Sequence, residues 1–334
     1  MNTLAALDDG WRRVLRAPLV VVGVWISTVV VALPLALVVR DDIAAHLGDS
    51  LAAESAASGV NFEWWNEFLA QAAGLGQTLG PSIIGFAAVL DNLSTIADGA
   101  SLSGVLTIVI GANLALSIFL SGGVLDRLAR DRRIGSHGFF AACGVYFFRF
   151  ARLAIIVGAA YAALFLWLHP WLFDDAFTSW TREVTVERTA FAVRVLFYVL
   201  FGATVAGVNV IADYAKIRMV VEDRRSAIGA VAAALRFVRR HAGAVLALYG
   251  LNMLIFMLVL ACYFAAAPGA GHSRTADVFA FLIGQLYLTL RVVARLTFAA
   301  SQIALFQGRL AHAGYVARPQ PRWPDSPAAS ALSN

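Results

Sequence analysis

Arg291 and Arg295 are the residues of this 334-residue chain whose type and position most call for a chemical role. Arg295 lies one helical turn beyond Arg291, so the two side chains share a face. Both fall inside the apolar run 278–306, and an ionisable group at membrane depth costs enough to be a functional hypothesis by default. Two guanidinium forks in a low-dielectric cavity would grip a phosphate or carboxylate group bidentately. A lipid headgroup is the natural ligand. The polar residues placed to meet them are Asn113, Asn209, Asp213 and Asn252 in other apolar runs, and Gln285, Tyr287 and Gln302 in the same run. The competing reading is structural: Asp213 or helix-end carbonyls neutralise the two arginines, or their side chains snorkel toward the nearer surface. The asparagines carry less on their own, because Asn in a membrane helix commonly bridges helices for about 1 kcal/mol.

No catalytic set stands beside these groups. His46, His137, His169, His241, His272 and His312 are scattered without metal-ligand spacing. Lys216 is the only lysine, which leaves no phosphate loop or serine–lysine dyad elsewhere. Gly80-Pro81-Ser82-Ile83-Ile84-Gly85 lacks the spacing of a nucleophile elbow. The pairs Asp41-Asp42, Asp174-Asp175 and Glu222-Asp223 fall in connections and read as solvated faces. Cys143 and Cys262 lie in apolar segments and read as free thiols. The expectation is a non-enzyme with no metal and no cofactor.

The elements that must position the arginines are membrane helices. With 60% hydrophobic and 14% charged residues and a mean hydropathy of +0.74, the chain has more apolar surface than one soluble core can bury. An all-α, polytopic bundle follows. Crossing the hydrocarbon layer takes about 20 apolar residues, and such runs cover 18–39, 102–125, 153–173, 191–211, 242–267 and 278–306. The first run follows basic residues as a signal peptide would. It exceeds the usual ~7–15-residue apolar core, however, and Leu37-Val38-Val39 is no cleavage site, so a retained helix is expected.

Arginines set the orientation, because Lys and Arg near helix ends stay cytoplasmic. One set of connections carries Arg127, Arg130, Arg132 and Arg133, then Lys216, Arg218, Arg224 and Arg225, then Arg309, Arg318 and Arg322; the alternate set is acidic or sparse. Both termini are therefore expected in the cytoplasm of a bacterium, with the spans in its inner membrane. The net charge of +5 does not suggest nucleic acid, since the arginines are spread along span ends instead of lining one groove.

Three spans follow basic stretches: Trp11-Arg12-Arg13-Val14-Leu15-Arg16, Phe148-Arg149-Phe150-Ala151-Arg152 and Arg236-Phe237-Val238-Arg239-Arg240. Each reads as an amphipathic elbow helix lying in the interface before a hairpin turns inward. Arg12, Arg13, Arg16, Arg149, Arg152, Arg236, Arg239 and Arg240 are then expected on anionic headgroups, at about 1 kcal/mol each. Asp126 precedes Arg149 by the interval at which Asp213 precedes Arg236, and Asp131-Arg132-Arg133 and Asp223-Arg224-Arg225 recur slightly out of phase. Duplication and a generic solution to the same turn both account for that.

With Asp213-Tyr214-Ala215-Lys216 and Glu222-Asp223-Arg224-Arg225-Ser226 between the fourth and fifth spans, the chain resembles poorly characterised bacterial six-helix inner-membrane proteins. Among these is the membrane domain of some glycerophosphodiester phosphodiesterases. The resemblance is architectural. It implies a six-helix membrane fold and no hydrolase activity, since this sequence has no counterpart of the phosphodiesterase domain.

Residues 1–315 read as one transmembrane domain. Its first extracytoplasmic connection, 40–101, holds helical segments and an apolar stretch within 81–97 that is too short to span, either re-entrant or lying on the rim. Residues 316–334, rich in Pro and Ala, read as a disordered cytoplasmic tail in which Arg322-Trp323-Pro324-Asp325-Ser326-Pro327 is either a docking peptide or a solubilising end. The functional expectation is binding or transport of an anionic or amphiphilic ligand; the alternative is a structural or accessory subunit with a partner at the cytoplasmic face.

Overall fold

Helix breaks fall where the sequence supplies caps and breakers. In the computed structural model, which describes residues 2–48, 50–58, 61–72, 104–131, 134–266 and 274–311, Asn2 caps α1 (Thr3–Leu15) by accepting from the Ala5 amide at 2.8 Å. Pro18 starts α2 (Pro18–Leu47), where its missing N–H costs nothing, so the chain turns at Ala17. The connection that follows forms α3 (Ala52–Ser58) and α4 (Phe62–Gln71), the latter capped by Asn61. α5 (Gly104–Arg130) and α6 (Ser136–Ala163) come next. α6 runs on through two π-helical stretches, Leu164–Leu168 and Trp171–Ala176, into α7 (Phe177–Thr181). Pro170 sits between those stretches, and the widened turns accommodate a residue that cannot donate a helical hydrogen bond. α8 (Glu187–Val221), α9 (Ala227–Arg240, capped by Ser226), α10 (Ala242–Ala266) and α11 (Arg274–Ala311) complete the described chain.

The described residues contain no strand. Among them six helical stretches are long and apolar enough to cross a membrane: Pro18–Leu47, Gly111–Arg130, Ser136–Thr181, Glu187–Val221, Ala242–Ala266 and Thr275–Leu310. Each overlaps one expected span, and most run past its ends, because an apolar run marks the hydrocarbon crossing and not the end of the helix. Phe148–Arg152 departs from expectation by lying inside a continuous helix. No Gly, Pro or capping residue interrupts the chain there, and Phe150 and Leu153 are buried on the inner face of the same helix. α1 and α9, by contrast, are separate helices ending at Arg16 and His241. The stretch 81–97 and the tail 316–334 lie outside the described residues.

The larger of two buried clusters lies at one end; the smaller joins Leu172 and Ala176, in the second π-helical stretch, to Phe197 and Phe201 of α8. The main core joins Val14 of α1, Leu128 of α5, Phe150 of α6, Tyr214 and Met219 of α8, Phe237 of α9, Leu248 of α10 and Phe306 of α11, all near the arginine-rich termini of the long helices. At the other end apolar side chains face outward: α2 has no buried residue, and Leu200, Leu258 and Phe281 are exposed. A soluble protein could not sustain this surface, whereas a bilayer solvates it at no cost.

Two glycine contacts bring backbones together at the packed end. A Cβ on Gly10 would stand 2.6 Å from Ser301 N, so α1 lies directly on the α11 backbone. A Cβ on Gly123 would stand 2.6 Å from Cys143 Sγ and 2.9 Å from Phe139 O, where α5 meets α6. Gly10→Ala is expected to destabilise the protein in thermal unfolding in detergent, because overpacking against backbone costs about 1–3 kcal/mol and outweighs the helix-propensity gain of about 1 kcal/mol. Gly23→Ala, whose Cβ would meet nothing within 4 Å, serves as the neutral control.

Candidate functional site

Helix spacing brings polar groups from four helices into one chamber of about 240 Å³. Along α8, Asp213 and Lys216 stand three residues apart and therefore on one face, with Lys216 Nζ donating to Asp213 Oδ1 at 3.1 Å. α11 contributes Arg295 and Gln302, α5 contributes Asn113, Ser117 and Ser121, and α2 contributes Ser27 and Thr28. Val24, Leu116, Leu120, Leu296 and Phe298 form the apolar remainder of the wall.

Asp213 is the one carboxylate among the residues that line the chamber, and it is already committed. Besides Lys216, Tyr249 of α10 donates its hydroxyl to Asp213 Oδ2 at 2.9 Å, and the Tyr249 ring is held edge-on against Phe298. Arg295 has no hydrogen-bond or ion-pair partner among the described residues. Of the structural alternatives, neutralisation of the arginines by Asp213 is therefore not what the side chains do: the carboxylate has turned to its own helix and to α10. Two cations against one carboxylate leave the chamber with positive charge.

A second donor also lacks a partner. Gln302 is only 3% exposed, and its Nε2 lies near the Tyr249 hydroxyl without a hydrogen bond of good geometry to any group among the described residues. A buried donor in that state costs about 1–3 kcal/mol.

Of the residues named from sequence, Arg295, Asp213, Asn113 and Gln302 meet at the chamber. Arg291, exposed as Arg295 is, lies one turn away along α11, does not line it, and has no partner among the described residues. Asn209 is exposed on α8, donating to Val205 O at 3.2 Å. Asn252 is buried between α10 and α11, where Nδ2 donates to Leu248 O and to Ser301 Oγ; this is helix-to-helix bridging. Gln285 is half-buried nearer the open end, outside the chamber. The sequence pattern puts Lys216 in a basic connection, whereas the structure puts it on α8. Its place one turn after Asp213 on a continuous helix was the signal for its role.

The basic stretches divide into two kinds. Arg13 is largely buried: Nη1 donates to Leu128 O at 3.0 Å and to Gln307 Oε1 at 2.9 Å, while Nε and Nη2 hold Asp9. Arg16 pairs with Asp131 at 2.8 Å and Arg149 with Asp223, and both aspartates adopt left-handed backbone, φ 45° and 50°, just past a helix end. Arg12 pairs with Asp8, and Arg152 donates to Phe148 O. Arg236, Arg239 and Arg240 are exposed on α9. The expectation that all eight face headgroups thus fails for Arg13 and Arg149, whose guanidinium groups are used inside the protein.

The four described histidines lie apart, His46 against Trp64, His137 at the start of α6, His169 among Phe165, Phe173 and Phe201, and His241 at the end of α9. No group of three His, Cys, Asp or Glu residues able to hold a metal occurs among the described residues. Cys143 is buried and Cys262 exposed, both as free thiols. No protein-family model, curated protein or solved structure matches the chain.

Gln302→Met keeps the volume and removes the unpartnered donor. Thermal unfolding of the ligand-free protein in detergent should show this variant as stable as the parent or more so, by up to about 1–3 kcal/mol. A clear loss of stability would mean that Gln302 already has a partner.

Proposed function

We propose that this chain is a multi-pass protein of a bacterial cytoplasmic membrane that binds or carries the anionic group of an amphiphile in the Arg295 chamber, without converting it chemically. The observation that carries this reading is an arginine without a partner among the described residues, in a chamber whose one carboxylate is taken. A cation at the centre of a membrane helix costs about 2.5–3.5 kcal/mol on insertion scales. An oxyanion bound there would offset that cost, and the groups around it are matched to one. Arg295 offers a planar fork, Lys216 a point charge, Gln302 an N–H and Ser117 a hydroxyl, while the hydroxyls of Ser27, Thr28 and Ser121 donate to carbonyls of their own helices and would turn from them to meet an anion. A phosphate group, with several acceptor oxygens, uses such a set more fully than a carboxylate does.

The same reading orients the protein. The packed, arginine-rich end faces the cytoplasm with both termini, and the α3–α4 connection lies outside. α1 and α9 lie at the cytoplasmic interface, where Arg236, Arg239 and Arg240 meet anionic headgroups. Reporter fusions within 50–58 should give an extracytoplasmic signal, and fusions after Arg130 a cytoplasmic one; the reverse would invert the map.

Native mass spectrometry of protein extracted from its own membrane should detect a bound phosphate-bearing species. Arg295→Gln should weaken its retention by about tenfold or more, the loss expected for a charge-assisted contact. Arg291→Gln, outside the chamber, should retain it. Because Lys216 is the only lysine, its acylation by an amine reagent gives a second readout, slowed when the chamber is filled. Undiminished retention by Arg295→Gln would remove the support for this site.

A further inference from the structure

The chamber has three fixed walls and one loose one. α5, α8 and α11 each bury residues in the main core, from Leu128 through Ile217 to Ile303. α2 buries none; only Val20, Val21 and Val24, near its start, pack partly against that core. Yet α2 supplies Ser27 and Thr28 to the chamber, just beyond the last of its residues that pack on the main core.

The base of α2 is anchored and its body is weakened. Ala17 and Val14 are buried, and the chain turns at Ala17 with φ −126° and ψ 51°, outside the helical region. The Ser27 and Thr28 hydroxyls both donate to Val24 O, at 2.8 and 2.9 Å, adding side-chain competitors at one carbonyl of the helical ladder. Pro34 then removes a helical donor altogether. Beyond the chamber, Val30, Leu33 and Leu37 are exposed, so lipid can solvate the helix in more than one position.

From this geometry, and resting on the chamber being an anion site, we infer that α2 is a lateral gate: it pivots at Ala17-Pro18, bends at Val24 to Pro34, and admits a lipid phosphate headgroup into the chamber from within the bilayer. The ligand's tails stay in lipid while its phosphate reaches Arg295 and Lys216. A phosphate arriving from water would need no movement of α2 away from α5.

The test closes the gate covalently. Ser27→Cys with Ser117→Cys, both lining the chamber on helices in contact, is made in a Cys262→Ser background and bridged with a short bis-methanethiosulfonate reagent that reductant removes. Uptake of tail-labelled phosphatidic acid from phosphatidylcholine vesicles is then followed, beside protection of Lys216 from acylation by inorganic phosphate. The bridged protein is expected to take up the lipid at least about tenfold more slowly, with full recovery on reduction. Pro34→Ala, which leaves the chamber untouched, should slow uptake without changing the amount bound at equilibrium. Equal uptake by bridged and reduced protein overturns the gate. Protection by inorganic phosphate with no lipid uptake by the parent protein, which keeps Ser27 and Ser117, overturns the lipid source and leaves the anion site standing. Failure of both probes on the parent protein overturns the site, and the gate with it.

Discussion

Gly10 lies on the backbone of Ser301, and this contact between α1 and α11 is the constraint on which the rest of the bundle depends. It lets Arg13, one turn along α1, reach Leu128 O at the end of α5 and Gln307 on α11, while Gln307 in turn donates to Ala129 O. One short helix thereby fixes the relative positions of two spans and, through the turn at Ala17, the base of a third. Arg127 Nη2 strengthens the same junction by donating to Arg16 O, one of the carbonyls α1 leaves unpaired at its end. With one end fixed this way, the apolar helices need not pack along their whole length, since lipid covers whatever they leave exposed.

The chamber lies where the packed end gives way to the open one, and its electrostatics follow from how Asp213 is held. A partly exposed pair three residues apart on one helix contributes only about 0.3–0.5 kcal/mol, so Lys216 alone would not hold the carboxylate. The Tyr249 hydrogen bond to a charged acceptor, about 1.5–3 kcal/mol, is the stronger restraint, and Phe298 keeps the tyrosine ring in place. Arg295 is on the same chamber wall as Phe298 yet receives none of this. The carboxylate that could have neutralised it is fixed by a side chain from another helix.

How much of this the sequence discloses depends on the range over which each feature is determined. The six spans are legible because hydrophobic length is a local property; all six appear, usually longer than their apolar cores. The breaks at Pro18 and Ser226 are legible for the same reason, and so is continuity through Phe148–Arg152, where no Gly, Pro or cap interrupts the helix. The internal roles of Arg13 and Arg149 were not legible, because their partners Gln307 and Asp223 are distant in sequence. A basic stretch looks the same whether it meets headgroups or carbonyls. The two Asp-Arg-Arg motifs, out of phase by residue count, share a feature that counting does not reveal: each aspartate takes the left-handed turn after a helix and receives an arginine from an earlier basic stretch. In the candidate site, the depth of Arg295 and the presence of Asp213 and Asn113 were readable; the dominance of Arg295 over Arg291 was not, since it depends on which flank of α11 faces α8.

The central claim is that Arg295 is held unpaired so that an anion can complete it. An experimental structure of the protein in nanodiscs made from its native lipids tests this most directly. The account predicts phosphate-sized density among Arg295, Lys216 and Gln302, with Asp213 still held by Tyr249. A chamber without such density, and with the Arg295 guanidinium turned onto Asp213, would contradict it.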